Sequence, residues 1–162
     1  MERIDPPSSA PEPTMLRAWL AYHRATLLMK AGGLAEDAWR RPMVPSGTSM
    51  GGLVKHLGYV ERWWFRIVFR AEELDVPWTG DDPDADWRVE PGETPEQIVG
   101  FYMTEIEASD RAVAGASLDD VAEYPDSEKT LRWIMTHMIE ETARHNGHAD
   151  ILREMLDGAT GK

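Results

Sequence analysis

LRWIMTHMIEETARHNGHADILREML, residues 131–156, contains no proline and a single glycine, and it decides the fold. Its apolar residues Leu131, Ile134, Met138, Ala149, Leu152 and Leu156 recur at helical spacing. At roughly 100° per residue they fall on one stripe. Two residues in the middle of that stripe are not apolar. Glu141 and His145 project into the same sector, one turn apart. A carboxylate and an imidazole on a buried helix face cost several kcal/mol unless something compensates them. A metal ion is the simplest compensation. His137 and His148 lie on the flank of the stripe.

Working outward, three further helices are legible. Thr14 can cap a first helix to about Lys30, with Leu16, Leu20, His23 and Leu27 on one face and Gly32–Gly33 as its stop. His23 reads as a partly buried histidine bonded to a neighbouring helix. Ser49 caps a second helix, Met50 to about Arg70, whose stripe is Leu53, Leu57, Val60, Trp64 and Ile67. His56 projects beside that stripe, and Lys55, Arg62 and Arg66 lie opposite. Thr94-Pro95-Glu96-Gln97 opens a third helix to about Ala114, combining a Thr cap, Pro at the first position and Gln at the third. Its apolar positions are Ile98, Phe101, Tyr102 and Ile106. Ser127 opens the last helix.

No strand pair competes with these elements. The expected class is all-α, a four-helix bundle with a long crossover connection between helices two and three. Residues 1–13, with four prolines, read as an extended N-terminal arm, and residues 14–158 as a single helical domain. The crossover carries Asp81, Asp82, Asp84 and Asp86. Read as an EF-hand from Asp81, it has Asp86 where Gly is needed and Gly92 where Glu is needed, so calcium is rejected. It reads instead as a solvated loop pinned by Trp78 and Trp87.

Composition narrows the function. Twenty-nine acidic residues against 17 basic ones give a net charge of −12, which disfavours nucleic acid and anionic membrane partners. No apolar run is long enough to span a membrane, and the N-terminus lacks a secretory core, so a cytoplasmic location is expected. With no Cys, thiolate ligands and Cys nucleophiles are excluded. H-E-x-x-H, paired E-x-x-H, G-x-S-x-G and Gly-rich phosphate loops are all absent. What remains is His56 together with Glu141-x-x-x-His145. Residues four apart on a helix are neighbours, and His56 from the second helix can close a three-ligand site with open positions. Two explanations stay open, a catalytic metal triad or a hydrogen-bonded polar layer that fixes the bundle's register. His148 ranks as an outer partner or cavity wall. His137 can orient Glu141, or be an exposed histidine. Arg144 reads as a surface partner of Glu140 or Glu141, and Asp150 as a surface residue or an indirect support for His145. Trp63 and Trp64 suit a dimer interface or a ligand pocket.

SMGGLVKHLGYVERWWF, residues 49–65, followed by LRWIMTHMIEETARHNGHADILRE, residues 131–154, resembles the DinB/YfiT-like metalloenzyme superfamily. Many relatives carry three histidines. Here Glu141 replaces one, as in the branch resembling mycothiol-dependent maleylpyruvate isomerase. The resemblance implies His56, Glu141 and His145 as ligands of one divalent metal, zinc or nickel, in a bundle that is often a homodimer. It implies a low-molecular-weight-thiol S-transferase or isomerase that uses a metal-bound thiolate on an electrophile. The preference for Arg over Lys, a mark of GC-rich genomes, favours mycothiol as the thiol. A metal-dependent hydrolase, and a non-catalytic binding bundle with a structural metal, are the rival expectations.

Overall fold

The computed structural model describes residues 1–161. Its elements are α1 (Glu12–Ala31), α2 (Glu36–Arg40), α3 (Met50–Glu61), a π-helical segment (Arg62–Val68), a short 3-10 turn (Ala85–Trp87), α4 (Pro95–Ala112) and α5 (Leu131–Asp157). Helices α1, α3, α4 and α5 form the all-α bundle, with α1 packed on α5 and α3 on α4. The α3–α4 crossover spans residues 69–94. Among the described residues, the β-structure is one isolated bridge between Val121 and Thr130.

The apolar stripes became the core. Leu131, Ile134, Met138, Ala149 and Leu152 of α5 are buried, as are Leu53 and Leu57 of α3 and Ile98, Tyr102 and Ile106 of α4. The capping box at Thr94 and Gln97 forms as its spacing requires, and the Ser49 side chain accepts from the Gly52 amide. Gly33, at φ 75°, lets the chain leave α1 in the left-handed region that L-residues avoid.

Four boundaries differ from expectation. Helix α1 begins at Glu12 behind Pro11, so Thr14 sits inside it. Pro13 in the first turn already has helical φ and lacks the amide a cap would have to satisfy. The arm therefore ends before Glu12. The last helix starts at Leu131, capped by Thr130 and not by Ser127. Residues 121–130 are held instead as a tight return, with Asp126 at φ 60° and the Ala122 amide donating to the Lys129 carbonyl. The connection after α1 contains α2, which buries Trp39 beneath α3. The second helix also changes character at Arg62, where seven residues adopt π geometry. The wider turn rotates the buried face, so Phe65, Val68 and Phe69 enter the core while Trp64 stays half-buried.

The basic residues on the outer face of α3 and its π extension are not solvated. Arg62 and Arg66 both pair with Glu105, which is buried on α4. Lys55, itself buried, donates to the Arg88 carbonyl and to Glu93, and so ties the crossover to α3.

Candidate metal centre

His56 leaves α3 at mid-length, and Glu141 and His145 leave consecutive turns of α5. The bundle brings the three together. Among the described residues they form the one group of His, Asp or Glu side chains whose donor atoms all lie within 4.8 Å of one another. Glu141 Oε1 stands 3.0 Å from His145 Nε2 and 3.7 Å from His56 Nε2. His145 is 2% exposed.

Each imidazole has an outer partner at its Nδ1. His56 Nδ1 lies 2.7 Å from Asp86 Oδ2, and Asp86 is 5% exposed. A carboxylate accepts there, so Nδ1 carries the proton and Nε2 presents a lone pair. That Nε2 is buried and has no hydrogen-bond partner. His145 Nδ1 lies 3.2 Å from His148 Nδ1. Desolvation is the chief cause that lowers the pKa of His148. His145 Nε2 faces Glu141 Oε1 at 3.0 Å, where it donates or, with the proton on Nδ1, presents a lone pair. Two imidazole nitrogens and a carboxylate oxygen thus converge on one point. Such a cluster needs a cation or protons.

Without a cation, protons are what it takes. Burial alone would lower the pKa of His56, but the neighbouring carboxylates of Asp86 and Glu141 outweigh burial and raise it. Glu141 is depressed far below the usual carboxylate range, first by its hydrogen bond with His145 and then by the nearby His56.

Asp86 was not legible as a site residue. It sits in an aspartate-rich loop with the look of a solvated crossover, yet the turn Ala85–Trp87 docks directly on α3. Gly51 and Gly52 permit that approach. A Cβ on Gly51 would meet Val89 at 2.8 Å, and one on Gly52 would collide with the Trp87 carbonyl. With the turn seated, the Trp87 indole stacks on His56 at 3.9 Å between ring centroids. Gly-Gly at the start of an amphipathic helix was the available signal, since glycine there costs helix stability unless another backbone comes close. Gly52→Ala should therefore push the turn off α3 and cost about 1–3 kcal/mol. Urea denaturation measures this, and a cost near zero would show that the turn is not held by this contact.

The other sequence candidates take separate places. His137 does not reach Glu141. It stacks on Trp133, lies against Trp64 and has Glu140 as its nearest carboxylate, 3.8 Å away. Its position one turn before Glu141 points it along the helix flank. Asp150 pairs with Lys30 of α1 and gives His145 no support. Arg144 is exposed, 3.5 Å from Glu141 Oε2, as a surface pairing requires. His23 is half-buried: its ring lies against Trp19 and Tyr22, and its carbonyl accepts from Asn146 of α5.

A family model described as mycothiol-S-transferase matches residues 15–158. The chain belongs to the mycothiol-S-transferase family. The match takes in α1 through α5 and all three clustered side chains, so the resemblance in the two long motifs extends over nearly the whole chain. The fold is also similar to a solved structure described as the conserved protein of locus from Enterococcus faecalis. That similarity has a TM-score of 0.66 at 12% identity and covers 93% of this chain and 100% of that one. It concerns the fold alone. No curated protein matches the chain. No helix is long and apolar enough to cross a membrane.

Proposed function

We propose that the chain is a metal-dependent S-transferase that joins a low-molecular-weight thiol, mycothiol by family, to a small electrophile. His56 Nε2, Glu141 and His145 Nε2 would hold one divalent cation, zinc or nickel. The observation that carries this reading is the convergence of Glu141 with two imidazole nitrogens, one of them the buried His56 Nε2 that has no hydrogen-bond partner. Imidazole nitrogen with one carboxylate suits zinc and nickel, and three protein ligands leave room for an exogenous group. A cation there would supply Lewis acidity, lowering the pKa of a thiol placed beside it.

The chain's own residues do the rest. Asp86 holds the Nδ1 proton of His56 and fixes the ring against Trp87. His148 Nδ1 stands 3.2 Å from His145 Nδ1 and would orient that ring from the more exposed side. The chain has no Cys, so the attacking sulfur belongs to the co-substrate. In the transfer, the thiol gives up its proton to solvent and a C–S bond forms. The electrophile either loses its leaving group or accepts the electron pair and a proton.

Asp86→Asn tests the outer support. It keeps the shape but allows the amide to face His56 as a donor, which favours the wrong tautomer. Affinity for zinc should fall about 10–100-fold, as for other outer partners of metal-bound histidines. Competition with a chromophoric chelator reads the change, and an unchanged affinity would mean that Asp86 has no such role.

The reading as a whole is tested by elemental analysis of gently purified protein, followed by thiol-dependent turnover of a panel of electrophiles. About one divalent metal per chain and turnover that requires mycothiol are expected. Absence of metal, with none taken up from added zinc or nickel, overturns the metal site. Metal-dependent hydrolysis without thiol overturns the transferase.

A further inference from the structure

Two recesses reach the cluster, one at His145 and one at His56, and Trp87 lines both. The first, about 360 Å³, opens on the His145 side and is lined by His148, Arg144 and the hydroxyls of Ser46 and Thr48, among others. The second, about 320 Å³, opens on the His56 side. Its wall carries Trp63, Trp64, Trp78 and Trp87, with His56 and Asp86 at the end next to the cluster. All four indoles are half-buried, so each keeps a face or edge toward solvent. Trp78 is held edge-on against Trp63 at 5.8 Å and against Tyr59 at 6.0 Å. Four of the seven tryptophans in the chain thus line one recess, two from the π segment and two from the crossover that follows it.

Resting on the transferase reading above, we infer that the tryptophan cleft is the electrophile subsite and that it takes an uncharged, planar aromatic electrophile. Flat indole faces and edges select a flat apolar ring through offset-stacked and edge-to-face contacts. Apart from His56, which is committed to the cluster, the one ionisable group in the lining is the carboxylate of Asp86, so no Lys or Arg along the walls rewards a negative charge. A recess of about 320 Å³ lies at the small end of the range for small-molecule pockets, roughly 300–1,000 Å³. It suits one or two fused rings. Its continuity with His56 and Asp86 argues for a substrate over a partner chain, because an occupant reaches the cluster at the cleft's inner end. The recess at His145 leaves a separate approach for the thiol. With chlorodinitrobenzene as the electrophile, the thiol sulfur forms the new bond to the ring carbon. Chloride leaves with the C–Cl electron pair, and the thiol proton passes to buffer.

The test uses the full-length, metal-loaded protein and 4-nitrobenzyl alcohol, an uncharged and unreactive aryl probe, in isothermal titration calorimetry. Saturable binding is expected, about tenfold weaker in Trp78→Leu and in Trp63→Leu, with far-UV circular dichroism unchanged. Ile151→Ala, in the recess at His145, should leave it intact. In turnover with mycothiol, Trp78→Leu should raise KM for chlorodinitrobenzene about tenfold and leave KM for the thiol alone. Aryl binding that ignores both tryptophan substitutions overturns the inference, as does a rise in the thiol KM instead. So does a Trp78→Leu protein that changes oligomeric state on gel filtration with aryl binding unaltered, which would make the cleft a contact between copies. Tryptophan-dependent aryl binding with no thiol turnover would overturn the transferase reading and leave the cleft standing.

Discussion

The unsubstituted chain should carry about one equivalent of divalent metal, and Glu141→Ala and His56→Ala should each abolish it. Each substitution removes one of three donors, so the loss of affinity should exceed the roughly 10–100-fold that outer partners cost. Elemental analysis after dialysis reads it directly. Retention of metal in either variant would place the ion elsewhere. The same site predicts a pH signature with a definite sign. The pKa of His56 is raised in the folded, metal-free protein because Asp86 and Glu141 outweigh burial. Protonated His56 therefore stabilises the fold in full below the unfolded value of about 6.5, and that contribution is lost as pH rises through the raised value. A metal needs Nε2 unprotonated, so its stabilisation grows over the same interval. Glu141, held ionised well below this range, stays constant throughout it. Scanning calorimetry should show metal-free protein losing stability as pH rises above about 6.5, with added zinc gaining effect. Parallel curves with and without zinc would contradict the assignment of His56.

Much of this was legible in the chain, and the boundary of legibility is physical. The α5 stripe was readable because a helix face facing a core demands a strict period, and any polar residue on it stands out. Glu141, His145 and His56 were visible for that reason. Asp86 was not, because its role depends on where a crossover turn lands, and no local periodicity encodes that. The π segment was hidden too. RWWFRIV satisfies helical spacing on paper, and only the packing of Phe65, Val68 and Phe69 against α5 and the 113–122 return shows that the extra residue per turn is needed. Thr130 and Ser127 both offer a capping hydroxyl. The bridge between Val121 and Thr130 favours the later one, and that is again a contact between distant backbone segments.

The pair that sequence periodicity gave least reason to suspect should have the largest effect on stability. Arg24 of α1 and Glu61 at the end of α3 are 3% and 1% exposed. They meet in two parallel bonds, Nε to Oε1 at 2.7 Å and Nη2 to Oε2 at 2.6 Å. The third nitrogen of Arg24 reaches Asp110 of α4 at 2.9 Å. Glu61→Ala strands a buried guanidinium with only the exposed Asp110 to face, and such a loss costs about 3–5 kcal/mol. Urea denaturation should find at least about 3 kcal/mol. A cost below about 1 kcal/mol would mean that water reaches the pair and screens it. Breaking the pair and replacing it are different experiments. Arg24→Met combined with Glu61→Leu removes both desolvation penalties, so the double variant should be far less damaged than the sum of its singles. Glu61 also sits where α3 passes into the π segment, five residues beyond His56. If the pair sets the register of α3, the double variant will be stable and yet bind zinc weakly. If it binds zinc normally, apolar packing alone aligns His56 with α5, and the ion pair serves only to satisfy its own two charges.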